Sequence, residues 1–194
     1  MFLFRDILHI MMTIIALAGY PASGKSTAAQ LLGEQGFPVV SMGETLREAM
    51  ESSDEDEVWA YAEALREEHG EYGVAVPCTG PIREHLDESD VVVLEGTRNP
   101  AEVDYLAAEL DIEAHVVWVD ATFGDRVRWF ATREGRGKGG EDPIDSARYL
   151  RERTDREHDA GVRDYFQRAD AVVQNNRGLD ELTTRTLTVV DNLL

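Results

Sequence analysis

The sequence predicts an α/β fold, a three-layer α/β/α sandwich around a mostly parallel five-stranded sheet. Two observations carry this. Short apolar, β-branched runs alternate with helical patterns along the 194 residues, and such alternation builds parallel strands with helices on both faces of the sheet. The first run, Thr13 to Ala18, passes without a gap into Gly19-Tyr20-Pro21-Ala22-Ser23-Gly24-Lys25-Ser26 and then into a good helix opening at Thr27. A length of this order fits one domain with a substantial core. We read residues 13–194 as that domain and residues 1–12 as an apolar N-terminal extension.

Each element has its own signal. The helix after Lys25 closes between Gly33 and Gly36, and Phe37 to Met42 reads as a second strand. Gly43 to Met50 starts a helix. The acidic run Glu51 to Glu57 leads into another, whose apolar residues 58, 61, 62 and 65 share one face until Gly70 ends it. Residues 72–87 form a weaker helical stretch interrupted by Pro77 and Pro81. Residues 43–87 are therefore a helical insertion between two core strands. Asp90 to Gly96 and His115 to Asp120 are buried-strand signals, continuous apolar runs bounded by turn residues. Helices are expected over 99–110, with Pro100 in the first turn, over 122–133 and over 144–158. Ala169 to Gln174 is the last strand, followed by Asn175-Asn176-Arg177-Gly178 and a C-terminal helix. Residues 134–145 include a Gly-rich, locally basic stretch, read either as a lid closing over a ligand or as a disordered connector.

The Gly19–Ser26 segment is G-x-x-x-x-G-K-S, the P-loop, in the strand–loop–helix context its mechanism needs. Its glycines allow a tight turn, so that backbone N–H groups from Gly19 to Thr27, those of Tyr20, Ala22, Ser23 and Gly24 among them, point inward at a polyphosphate. The helix N-terminus adds unpaired N–H groups and dipole. Lys25 supplies charge to the β- and γ-phosphates, and Ser26 is placed to ligate Mg²⁺. The cofactor expectation is ATP with Mg²⁺, in a P-loop NTPase core. Glu95, closing the Val91–Leu94 strand, reads as an acid that organises the Mg²⁺ or as an ordinary strand-end carboxylate. In parallel α/β folds ligands sit at the C-terminal strand ends, where the P-loop, Ser41–Glu44, Glu95–Arg98 and Asp120–Thr122 all fall.

Composition narrows the partners. Acidic residues number 38 against 19 basic ones, a net charge of −19, which argues against nonspecific nucleic-acid binding. Only Lys25 and Lys138 are lysines, against seventeen arginines. Scarce lysine with abundant carboxylate resembles the proteins of salt-loving archaea, where screening relieves self-repulsion. No apolar run approaches the roughly 20 residues that span a membrane. The first twelve residues lack a signal-peptide cleavage site and read as a dispensable extension or a misassigned start, since Met11 and Met12 serve equally well. One cysteine, Cys78, excludes an internal disulfide and fits a reducing cytosol. The expectation is a cytoplasmic monomer or homodimer with a nucleotide and a small-molecule phosphoryl acceptor as partners.

Arginines recur where an anionic site wants them: Arg47, Arg98, Arg126, Arg133, Arg136, Arg153 and Arg156. Guanidinium suits the fork geometry of phosphoryl oxygens. Along 148–156, however, arginines alternate with acids at helical spacing, as a solvated salt-bridged face also does.

Gly19–Ser26, Ser41-Met42-Gly43-Glu44-Thr45-Leu46-Arg47 and Glu95-Gly96-Thr97-Arg98 resemble the P-loop, S-x-G-D-x-L-R and D-G-x-x-R segments of adenylate kinases and related nucleoside monophosphate kinases. From about residue 13 the chain more closely resembles an archaeal family of nucleotide-kinase-like P-loop proteins. Its landmarks are Ser41-Met42-Gly43, the segment around Tyr61–Gly73, Glu95–Arg98, Arg153–Glu157 and the Asn175 loop. A more distant likeness is to dephospho-coenzyme A kinase. The resemblance implies Arg47 and Arg98 at the acceptor phosphate, with Glu44 in the acidic position of the S-x-G-D segment. It also implies Arg126 and Arg133 at the lid base, Arg153 and Arg156 at the transferring phosphoryl group, and Asn175 beside the nucleobase. Glu95–Arg98 is shorter than the D-G-F-P-R pattern, and the 43–87 insertion does not match the adenylate kinase acceptor segment. The expected function is transfer of the γ-phosphoryl of ATP·Mg²⁺ to a nucleotide-like acceptor, a nucleoside monophosphate or dephospho-coenzyme A type. The alternative is an ATP-dependent regulatory switch acting on a protein partner; the N-K-x-D base reader of guanine-specific switches is absent.

Overall fold

The computed structural model describes residues 12–132 and 142–194. Residues 1–11 of the N-terminal extension, Arg133 and Arg136, and the lid segment up to residue 141 lie outside the described residues.

Five strands form one fully parallel sheet: β1 Thr13–Ala18, β2 Val39–Ser41, β3 Val91–Glu95, β4 Glu113–Asp120 and β5 Ala171–Gln174, in the order β2-β3-β1-β4-β5. β1 is central and all six of its residues are buried, which is why its sequence reads as unbroken apolar rather than alternating. Helices α1 Lys25–Glu34, α2 Met42–Met50, α3 Glu55–His69, α4 Thr79–Leu86, α5 Pro100–Leu110, α6 Phe123–Thr132, α7 Pro143–Asp159, α8 Tyr165–Arg168 and α9 Leu179–Leu193 complete the described elements, with 3-10 turns at Gly73–Cys78 and Val162–Asp164. Two cores result. One lies under α1 and α9, around Ile15, Leu17, Leu32, Val117 and Leu182. The larger lies on the other face, around Ile14, Met42, Leu46, Ile82, Trp118 and Tyr165.

Where the sequence misleads locally, a cap or a proline is the reason. β2 is shorter than the expected 37–42, because the Ser41 side chain accepts the Glu44 N–H and so caps α2, drawing Met42 into the helix. α3 begins three residues before Val58, since the Asp54 carboxylate accepts the N–H groups of Asp56 and Glu57, and three acids in the first turn suit the positive end of the dipole. The stretch 72–87 splits into a 3-10 turn holding Pro77 and the regular α4. The short turn–helix 162–168 between α7 and β5 has no periodicity long enough to read. The 43–87 insertion does separate β2 from β3, and packs on the larger core through Leu46, Ala62, Leu65, Val74 and Ile82.

Candidate active site

The loop after β1 has the backbone a phosphate cradle needs. Gly19 and Gly24 have φ of +143° and +107°, values in the left-handed region that favour glycine. A side chain at Gly19 would run into the Val119 carbonyl, and one at Gly24 into the Asn175 amide. Gly24 caps α1 without any side-chain bond, which leaves the first N–H groups of the helix for an anion. The Lys25 ammonium donates to the carbonyls of Gly19 at 2.6 Å and Tyr20 at 2.8 Å. Burial pushes its pKa down to about 8, against a smaller opposing pull from Glu157. The Ser23 hydroxyl is buried without a partner, whereas Ser26 is exposed to the cavity in front of the loop. An orphaned hydroxyl, a loop whose glycines leave no room for a side chain and an ammonium resting on its own loop fit a polyphosphate with its Mg²⁺. Ser26 and Glu95 both line the cavity in front of the loop.

That cavity, of about 700 Å³, is lined at one end by Pro21, Ala22, Lys25, Ser26 and Glu95 and at the other by Leu46, Val58, Trp59 and Ala62 of the insertion. Glu44, Arg47, Arg98 and Arg153 also line it. Arg47 is exposed and has no ion pair among the described residues. Arg98 is held more firmly. Its Nη1 donates to the Gly96 carbonyl at 3.0 Å, its Nε lies 3.6 Å from Glu157 Oε1, and its guanidinium sits 4.8 Å over the Trp59 ring. Arg153 donates to Tyr149 Oη at 3.0 Å, pairs with Glu55, and places its Nε 3.5 Å from the same Glu157 oxygen.

The loop that carries Arg98 is fixed by buried polar contacts. Glu102 Oε2 accepts the N–H of Arg98 at 2.7 Å, the N–H of Asn99 at 3.2 Å and the Thr97 hydroxyl at 2.8 Å. Tyr165 Oη donates to the Asn99 carbonyl at 2.7 Å and touches Thr97 Oγ1. Burial raises the Tyr165 hydroxyl well above its ordinary pKa, so it stays a donor. The shortness of Glu95–Arg98 is accommodated by Gly96, whose φ of +87° turns the chain back beside α2.

Several residues implied by the resemblance lie off the cavity. Arg126 is buried behind the loop, donating to the Pro21 carbonyl at 3.2 Å and Thr154 Oγ1 at 3.4 Å, with its guanidinium 5.0 Å over the Tyr20 ring; it braces the P-loop from beneath. Arg156 is exposed, 3.6 Å from Asp56 and 5.5 Å from the centre of the Trp59 ring. Asp120–Thr122 ends β4 without reaching the cavity: the Asp120 carbonyl accepts the Asn175 N–H at 2.7 Å, and Thr122 bonds Asp125. Arg148 is the solvated face that its spacing allows, paired with Asp145. Asn175 is buried and donates to the Ser23 carbonyl at 2.9 Å. It also lines a second cavity of about 210 Å³, with Gly24, Thr27, Trp129, Phe130, Gly178 and Leu179.

Sequence reasoning missed Glu157 as a site residue, together with Trp59, Trp129, Tyr149 and the Glu102–Tyr165 support. In the sequence Glu157 stands at the end of the Arg153–Glu157 landmark, with no role attached to it. Its i, i+4 spacing from Arg153 fits a pair, but Arg148 with Glu152 and Arg151 with Asp155 share that spacing, so the sequence does not single it out.

Residues 15–149 match the family described as AAA domain. A UPF0200 protein of Methanosarcina barkeri is 32% identical over 188 residues, covering 94% of this chain and 97% of the relative. A UPF0200/UPF0201 protein of Archaeoglobus fulgidus is 33% identical over 179 residues, or 90% of this chain, and the match spans only 54% of that relative's length. Shikimate kinase from Bacteroides thetaiotaomicron superposes with a TM-score of 0.58 at 13% identity, covering 93% of this chain and 98% of the other. That likeness is one of fold, the α/β P-loop kinase fold. The chain belongs to the UPF0200 family.

Proposed function

We propose that this UPF0200-family chain is an ATP- and Mg²⁺-dependent phosphotransferase whose acceptor is a small nucleotide-like molecule carrying a phosphate. The observation that carries the reading is the single cavity that opens on Lys25 and Ser26 at one end and on the Leu46–Val58–Trp59–Ala62 wall at the other. Its volume lies within the range of small-molecule sites, and only such a continuous space lets donor and acceptor meet in line.

In this reading the Gly19–Thr27 amides and Lys25 hold the triphosphate, and Ser26 and Glu95 hold the metal. Bound Mg²⁺ supplies charge neutralisation of the phosphate oxygens. Arg153 stands over the transferring group, and Arg98 and Arg47 take the acceptor phosphate, Arg47 being the cavity arginine with no carboxylate partner among the described residues. Trp59 and its apolar neighbours cover the rest of the acceptor. A phosphate acceptor needs no base; a hydroxyl acceptor would give its proton to Glu44 or Glu95. The Asn175–Trp129 cavity is assigned to the nucleobase, with Trp129 and Phe130 for stacking. Arg126, from its place under Tyr20, acts through the loop, and Arg156 through Trp59; Arg133, outside the described residues, is assigned to the lid base on the resemblance alone. The acidic, lysine-poor surface is assigned to a high-salt cytoplasm. Among the described residues no helix is long and apolar enough to cross a membrane.

The test is ATP consumption over a panel of nucleoside monophosphates and dephospho-coenzyme A. Acceptor-stimulated turnover that Lys25→Ala abolishes supports the reading. Turnover indifferent to every acceptor, with nucleotide-dependent capture of a protein, replaces it with a regulatory ATPase.

A further inference from the structure

The geometry points to Glu157 as the positioning residue that holds Arg98, for the acceptor phosphate, and Arg153, for the transferring group, beside each other, an inference that rests on the phosphotransferase reading above. Glu157 is 5% exposed, and a buried carboxylate is kept only where partners compensate its desolvation. Its partners come from two different parts of the chain. Arg98 arrives from the loop after β3 and Arg153 from one turn earlier on α7, and both present Nε to the same oxygen, Oε1, at 3.6 and 3.5 Å. Each guanidinium thus sets its inner nitrogen within ion-pair distance of Glu157. The outer edges, which carry the two terminal nitrogens, turn towards Gly96 on one side and Tyr149 with Glu55 on the other, along the cavity wall.

Two cations beside each other repel, and free guanidinium groups on long side chains sample many rotamers. One carboxylate between them cancels part of the repulsion and fixes both at the junction of the donor and acceptor ends. It also costs something. Glu157 is the largest of the charges raising the Lys25 pKa, so it lies within electrostatic reach of the P-loop and opposes a ground-state anion there. A group that disfavours bound phosphate at rest, yet holds two cations ready for charge in flight, acts chiefly on the transition state.

The experiment compares the parent, Glu157→Gln and Glu157→Asp by three readouts. Arginine Nε–H signals in NMR report restraint without any turnover. Titrations compare Mg·ADP alone with Mg·ADP plus aluminium fluoride, a mimic of the phosphoryl group in flight. The expected result is that Glu157→Gln frees the Arg98 and Arg153 Nε–H signals and leaves Mg·ADP affinity within about threefold of the parent. It loses about tenfold or more of the extra affinity gained with aluminium fluoride, and Glu157→Asp regains part of it. Both Nε–H signals remaining restrained in Glu157→Gln overturns the inference, as does a loss of Mg·ADP affinity as large as that for the fluoroaluminate complex. If the parent gains nothing from aluminium fluoride and no acceptor stimulates turnover, the phosphotransferase reading falls. The NMR comparison then decides Glu157 alone.

Discussion

Asn175 donates its side-chain amide to the main-chain carbonyl of Ser23 at 2.9 Å, across 152 residues of sequence. Its own N–H goes to Asp120 at 2.7 Å. The loops after β1, β4 and β5 are thereby one unit, and the P-loop is held in shape from its flank rather than by its own residues alone. Replacing Asn175 with Ala leaves the Ser23 carbonyl without its donor and opens space beside Gly24. The expected cost is about 1–3 kcal/mol of stability, read by thermal unfolding, together with weaker nucleotide binding in a direct titration. An Asn175→Ala protein that keeps both would show that the loop holds itself.

Lys25 predicts a pH dependence whose sign is fixed. Its free-state pKa is lowered to about 8 by burial, and a bound polyphosphate raises it again. Affinity for ATP is then full below about pH 8 and falls as pH climbs through that value, by up to about tenfold per unit until the bound-state pKa is reached. Lys25→Met should bind weakly at every pH and show no step between pH 7 and 9. Titrations of both proteins at four pH values check this.

Arg47 lines the cavity with no ion pair among the described residues. A charged hydrogen bond to an acceptor phosphate contributes about 1.5–3 kcal/mol. Arg47→Ala should therefore raise the acceptor KM by roughly tenfold to a hundredfold. ATP affinity and melting temperature should stay near the parent. Steady-state kinetics with the acceptor varied at saturating ATP give the answer.

Tyr165 ties the Arg98 loop to the core through the Asn99 carbonyl. Tyr165→Phe keeps the ring and removes the donor, so the expected loss is about 1–2 kcal/mol in unfolding. A fall in turnover should accompany it as Arg98 loosens, with Mg·ADP affinity unchanged.

Cys78 is buried, and burial pushes its thiol up to about 12. At pH 8 the thiolate fraction is then on the order of 10⁻⁴. Iodoacetamide should leave the native protein unmodified over hours and alkylate it completely in denaturant, as intact mass would report.

How far the sequence reaches differs from element to element for a physical reason. The Gly19–Ser26 loop, the central strand and the helix that follows are contiguous. Their signals are local: glycines that alone tolerate the required φ, an apolar run buried on both sides, a lysine at the helix start. The fully parallel sheet and the 43–87 insertion follow from the same alternation. The supports of the site are not local. In α7 many arginine–acid pairs satisfy helical spacing equally. Which acid turns inward depends on Arg98 arriving from a loop more than fifty residues earlier, and that choice buries Glu157 while leaving Arg156 outside.

The amino-acid order by itself therefore determined a phosphate-cradling turn on a parallel sheet, because each of those features is written in neighbouring residues. Only the tertiary structure decided which charges share the cavity. Arg126 lies against Tyr20, Asn175 is tied to Ser23, and Arg98 and Arg156 both lie against Trp59. A buried side chain's partner is set by what packs across from it, and for Glu157 and Arg126 part of that partnership comes from a distant stretch of chain.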